Sequence, residues 1–129
     1  MSSNQALNES EFAERIAKIR ARFASKLADK IEATDAAMVH MGDDASDAID
    51  AVATTYRRFH DMYGISSTIG FKAIGQMART VDAVLIGPYR DRRGLREDEL
   101  AKLKRALEAL QAAAATELQI TGKDQESES

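Results

Sequence analysis

The stretch His60-Asp61-Met62-Tyr63-Gly64-Ile65-Ser66-Ser67-Thr68-Ile69-Gly70-Phe71 decides how this chain is read. One histidine sits toward the end of an amphipathic helical run, with a glycine one helical turn further on. A second glycine and an aromatic then open the next helix. On physical grounds alone, this is a histidine at the edge of a packed face with the space beside it cleared.

Upstream, Ala45, Ala48, Ile49, Val52, Tyr56, Phe59 and Tyr63 recur along one face, so a helix is predicted from about Asp44 to Ser66. At about 100° per residue, His60 falls roughly 80° from the centre of that face, on the boundary between core and solvent. Ala53, Arg57 and Gly64 lie on its outer side. Small residues there let another protein approach the imidazole.

Downstream, Phe71, Ile74, Ala78, Val81 and Leu85 predict a third helix, ended by Gly87-Pro88. A loop from Gly87 to Arg96 carries Arg90, Arg92, Arg93 and Arg96 and reads as solvated. Leu100, Leu103, Leu107, Leu110 and Ala114 predict a fourth helix over about Glu97–Leu118. The first helix is expected to open at Asn8, with Glu11 completing a capping box. It carries Phe12, Ile16, Ile19, Phe23, Leu27, Ile31 and Met38 toward the core. Thirty helical residues measure roughly 45 Å, so a bend is expected near Thr34-Asp35.

Composition agrees with this pattern. The chain has 129 residues, one Pro and no Cys, so disulfides, thiolate metal sites and cysteine nucleophiles are excluded. One domain is expected, with a flexible segment over 1–8, a helical bundle over 9–118 and a disordered polar tail over 119–129. The class is all-α, with four amphipathic helices joined by short connections in an antiparallel bundle. No apolar run has membrane-spanning length, and the first residues lack signal-peptide character. A cytoplasmic, free-standing protein is the expectation. A net charge of −3 and interspersed basic residues disfavour nucleic acid. His40 lacks ligand-spaced neighbours, and the five Met residues read as core filling. Asp43, Asp44, Asp47 and Asp50 suit the positive end of a helix dipole and need no metal.

The motif resembles the histidine phosphotransfer (HPt) signature, in which a phosphorylated His is followed by a small residue four positions on and a Gly ten on. Gly64 and Gly70 occupy those positions, and Thr68-Ile69-Gly70-Phe71 is similar to the HPt domains of chemotaxis-type histidine kinases. The resemblance extends over the helical order from about Glu9 to Leu118. It implies a phosphoryl carrier rather than an enzyme. His60 would be the nucleophile, served by a partner histidine kinase and a response-regulator receiver domain. No bound cofactor is expected, Mg²⁺ belongs to the partner, and the protein is expected to be a monomer.

The resemblance also implies that Asp82 accepts the Nδ1 proton of His60 and leaves Nε2 nucleophilic. Tyr63 departs from the family, many of whose members carry Lys there. Arg57, Arg79 and Lys72 are the candidate supports for phosphoryl charge. Ala53, Met62, Tyr63, Gly64, Gly70 and Phe71 are expected at the docking surface. Two other readings stay open: an HPt-like adaptor that binds a receiver or kinase without being phosphorylated, and a structural bundle that self-associates.

Overall fold

A computed structural model describes the backbone of residues 2–127 and the side chains of 8–118. Every element among them is helical: α1 (Ser2–Ala37), a 3₁₀ turn (Met38–His40), α2 (Ala48–His60), α3 (Met62–Thr68), α4 (Lys72–Asp91) and α5 (Glu97–Ser127). No helix among the described residues is long and apolar enough to cross a membrane. The expectations of a flexible first segment and a polar tail fall on side chains outside those described. The backbone of α1 is helical from Ser2, and that of α5 continues past Leu118 to Ser127.

Helical periodicity selects the core. Ile74, Ala78, Val81, Leu85 and Pro88 step along α4 at spacings of four and three, and all are buried. Val52, Tyr56 and Phe59 answer from α2, Leu27 and Ile31 from α1, and Leu103, Leu107 and Leu110 from α5. Each fully buried aliphatic contributes about 1.5–3 kcal/mol relative to exposure. The pairings run antiparallel. Tyr56 stacks on Tyr89, His60 meets Asp82, and Gly75 lies under Tyr63, so α2–α3 ascends as α4 descends. The N–H of Ile74, in the first turn of α4, donates at 2.7 Å to Oε1 of Glu117 near the far end of α5. Thr34 against Arg58, and Arg20 against Ile69, give α1 the same sense relative to α2–α3.

Several boundaries differ from those expected. Asn8 lies inside α1 rather than capping it. Phe12 and Ile19 were expected in the core but are 66% and 48% exposed. Among the described residues of α1, packing on the core cluster starts at Phe23, whose ring lies 5.6 Å from Phe71. Past Thr34-Asp35, where a bend is expected, α1 stays hydrogen-bonded helix to Ala37. The Thr34 hydroxyl donates back to the Lys30 carbonyl at 2.7 Å, which satisfies this buried polar group.

The segment expected from Asp44 starts as a helix only at Ala48. Asp43 and Asp44 therefore lie in the preceding loop, and Ile49 faces solvent. Asp61 divides α2 from α3 yet keeps right-handed helical dihedrals, so the two follow one another almost as a single helix.

Gly87-Pro88 does not end α4. The helix continues to Asp91, and Arg92 terminates it at φ 54°, ψ 54°. Arg93 N–H bonds the Pro88 carbonyl and Arg92 N–H bonds that of Tyr89, the two bonds of a Schellman ending. Proline lacks a donor, but its carbonyl accepts normally. Nor is the basic loop uniformly solvated. Arg93 forms a two-pronged pair with Glu99 at 2.7 and 3.0 Å. Arg96 N–H also donates to Glu99, at 3.0 Å. The guanidinium holds the Glu99 carboxyl down from 4.5 to about 2, against the opposing effect of burial. This loop closes on residues 41–43 through Leu95 N–H to Met41 O at 2.7 Å and Asp43 N–H to Leu95 O at 3.1 Å. A Cβ on Gly94 would stand 2.8 Å from Ala48 Cβ, so the closure requires glycine there.

Candidate functional site around His60 and Asp82

α2 ends at His60 because Asp61 interrupts the helical ladder, which leaves the imidazole on the last turn and 56% exposed. Across the interface, α4 buries Ala78, Val81 and Leu85. Asp82, one residue after Val81, is therefore turned to the edge of the core and is 24% exposed. Its Oδ1 lies 3.3 Å from Nδ1 of His60. A carboxylate only accepts, so Nδ1 carries the proton in the neutral ring, and Nε2 holds the free lone pair. Nε2 has no protein partner among the described residues.

Tyr56, one turn earlier on α2, lies under the imidazole at 5.1 Å between ring centroids. Tyr89 stacks on Tyr56 at 4.2 Å. Burial pushes the Tyr56 phenol above its ordinary value of 10.0, and the charge of Asp82 adds to that. Tyr56 therefore stays neutral and supports the ring as an apolar platform. His60 and Asp82 open onto a cleft of about 250 Å³ that Phe59, Tyr63 and Arg79 complete. The Arg79 guanidinium sits 5.4 Å above the Tyr63 ring centroid. This cation–π contact holds a positive charge beside the imidazole.

The structure brings together His60, Asp82, Arg79 and Tyr63 and leaves the other candidates elsewhere. Arg57 and Lys72 are exposed and do not line the cleft. Ala53 is half-buried on α2. Met62 and Phe71, expected on the docking surface, are 2% and 4% exposed and belong to the core. The turn at Asp61 rotates Met62 inward, and Phe71 packs against Phe23. Gly70 is required by conformation: its φ is +90°, where side-chain-bearing residues are strained. The turn it makes is pinned to α1, because Arg20 Nε donates to Ile69 O at 3.0 Å and its guanidinium lies over Phe71.

Gly64 differs. A Cβ there would meet nothing within 4 Å, so packing does not require the glycine. Sequence reasoning took Tyr56 as plain core and passed over Tyr89. The four-residue spacing from Tyr56 to His60 was the available signal, since it stacks the two rings on one face.

The arrangement suits a nucleophilic nitrogen held in one tautomer beside a cation. No group of acids and histidines that could hold a metal occurs among the described residues. Comparison of the chain with models of protein families, with curated proteins and with solved structures yields no match.

Proposed function

We propose that this chain is a histidine phosphotransfer protein with an HPt-type bundle, carrying a phosphoryl group on His60 between a histidine kinase and a receiver domain. The observation that supports this most is the exposed imidazole whose Nδ1 is engaged by Asp82 at 3.3 Å. Nε2 attacks the phosphorus of ATP in a kinase or of a receiver's aspartyl phosphate. The N–P bond forms as the P–O bond breaks, and ADP or the aspartate carboxylate leaves. The Nδ1 proton stays in place, so the phosphorylated ring is cationic and faces the Asp82 carboxylate. A receiver aspartate then attacks the same phosphorus and regenerates neutral His60.

In-line positioning and charge stabilisation are supplied largely by the partner and its Mg²⁺. Arg79, which lines the cleft beside His60, would support the phosphoryl oxygens, the role that Lys has in many HPt domains at the position matching Tyr63. Gly64, bare for reasons unrelated to packing, leaves room for the partner. In this reading the protein acts as a cytoplasmic monomer without a cofactor of its own.

Incubation with a phosphorylated receiver or a kinase and labelled ATP tests the reading. Acid-labile label is expected on the wild type and on His40→Gln, and none on His60→Gln. Label that survives His60→Gln excludes it. Receiver binding without any label selects the adaptor instead.

A further inference from the structure

The side of α3 facing away from the His60 cleft borders a second depression, about 250 Å³, between α1 and α3, which shares no lining residue with the first. Its floor is Leu27 and Met62, both buried, and its apolar rim includes Phe23, Ile19 and Ile65. Ile19 and Ile65 are 48% and 49% exposed. Three cations line it and no carboxylate does: Arg22, Lys26 and Lys30. None of the three forms an ion pair among the described residues. Spaced four residues apart on α1, they stand at intervals of roughly 6 Å along one wall.

We propose that this groove docks an acidic amphipathic helix of a partner protein. An apolar face of that helix would lie on Ile19, Phe23 and Ile65, and carboxylates at every fourth position would meet Arg22, Lys26 and Lys30. Charge selects this occupant. A second copy placed by two-fold symmetry would bring cation against cation, which disfavours self-pairing. A bilayer would reach the rim but not the recessed floor formed by Leu27 and Met62.

The probe is a labelled amphipathic peptide of about five turns, with leucines on one face and Glu at positions i, i+4 and i+8 beside it. A control carries Lys in place of Glu. The full chain is titrated by fluorescence anisotropy, with isotope-edited spectra of Ile19 and Ile65. The acidic peptide is expected to bind, to shift both isoleucines and to weaken as salt rises. Lys26→Glu/Lys30→Glu, at an exposed and a half-buried position of α1, should weaken it about tenfold or more. Circular dichroism checks that the double variant remains helical, and its label uptake on His60 should be unchanged. The proposal is overturned by absent binding, by equal binding of the Lys control, or by an undiminished double variant. Chain that instead partitions onto phosphatidylserine vesicles, or whose mass grows with concentration at the groove, overturns it equally.

Discussion

Two histidines of this chain each hold Nδ1 near a carboxylate, and they differ in what surrounds them. His60 reaches Asp82 at 3.3 Å across 22 positions of sequence, from one core helix to another. His40 reaches Asp47 at 3.1 Å within the connection between α1 and α2, and both side chains are more than half exposed. Tyr56, itself stacked on Tyr89, supports the His60 ring, and Arg79 lines the cleft beside it. The cleft around His40 instead sets two carboxylates, Asp47 and Asp50, against one cation, Arg58, whereas the His60 cleft sets Asp82 against Arg79, so the field at His40 is the less favourable for a phosphoryl group. The shorter contact is therefore the less useful one. A carboxylate beside an imidazole sets a tautomer, but a site also needs a rigid platform and a compatible field.

The sharpest way to break the comparison is to exchange the histidines' fates. Complete loss of label in His60→Gln and unchanged label in His40→Gln are expected, and equal loss in both would erase the distinction. Next come the carboxylates. Asp82→Asn should slow phosphoryl uptake by roughly ten- to a hundredfold, less than the loss seen when a buried triad carboxylate is neutralised, because this pair is open to water. Asp47→Asn should leave the rate unchanged. Similar rates for both variants would show that Asp82 has no orienting role.

A third test addresses the scaffold. The Arg93–Glu99 pair anchors the loop that closes on residues 41–43, near His40 and far in the fold from Asp82. Because folding depresses the Glu99 carboxyl from 4.5 to about 2, its contribution is fully present above pH 4.5 and is lost as pH falls through 2. Glu99→Gln should lower stability by about 1–3 kcal/mol at pH 7, and denaturant midpoints should show the deficit shrinking between pH 4.5 and 2. Spectral changes should appear at His40 rather than His60. A deficit independent of pH would show that the charge of Glu99 does not matter. The smallest effect belongs to Arg92, a side-chain-bearing residue at φ 54°. Arg92→Gly should raise stability by about 0.5–1 kcal/mol in the same assay, and a loss would reveal contacts of the arginine that outweigh its backbone strain.

Much of this was legible in the chain. The three-and-four spacing of Ile74, Ala78, Val81 and Leu85 specifies both a helix and its buried face, because helical geometry is local. The same angular reasoning put His60 at the core boundary, while Asp82 entered through the resemblance. It could not tell that Phe12 and Ile19 stay exposed, since periodicity describes a face and not what covers it. Nor could it see past Pro88, whose carbonyl completes the ending of α4 while the residue itself is buried.

The sequence by itself determined that the chain is helical, most of the buried stripe of α2, α4 and α5, and the exposed edge where His60 stands, because each follows from residue type at a fixed angular step. Only the tertiary structure decided which distant groups complete them. Glu117 of α5 caps the first turn of α4, Asp82 engages His60, and Arg79 rather than Arg57 or Lys72 enters the cleft. Those pairings depend on how whole helices settle against one another, and no local repeat encodes that.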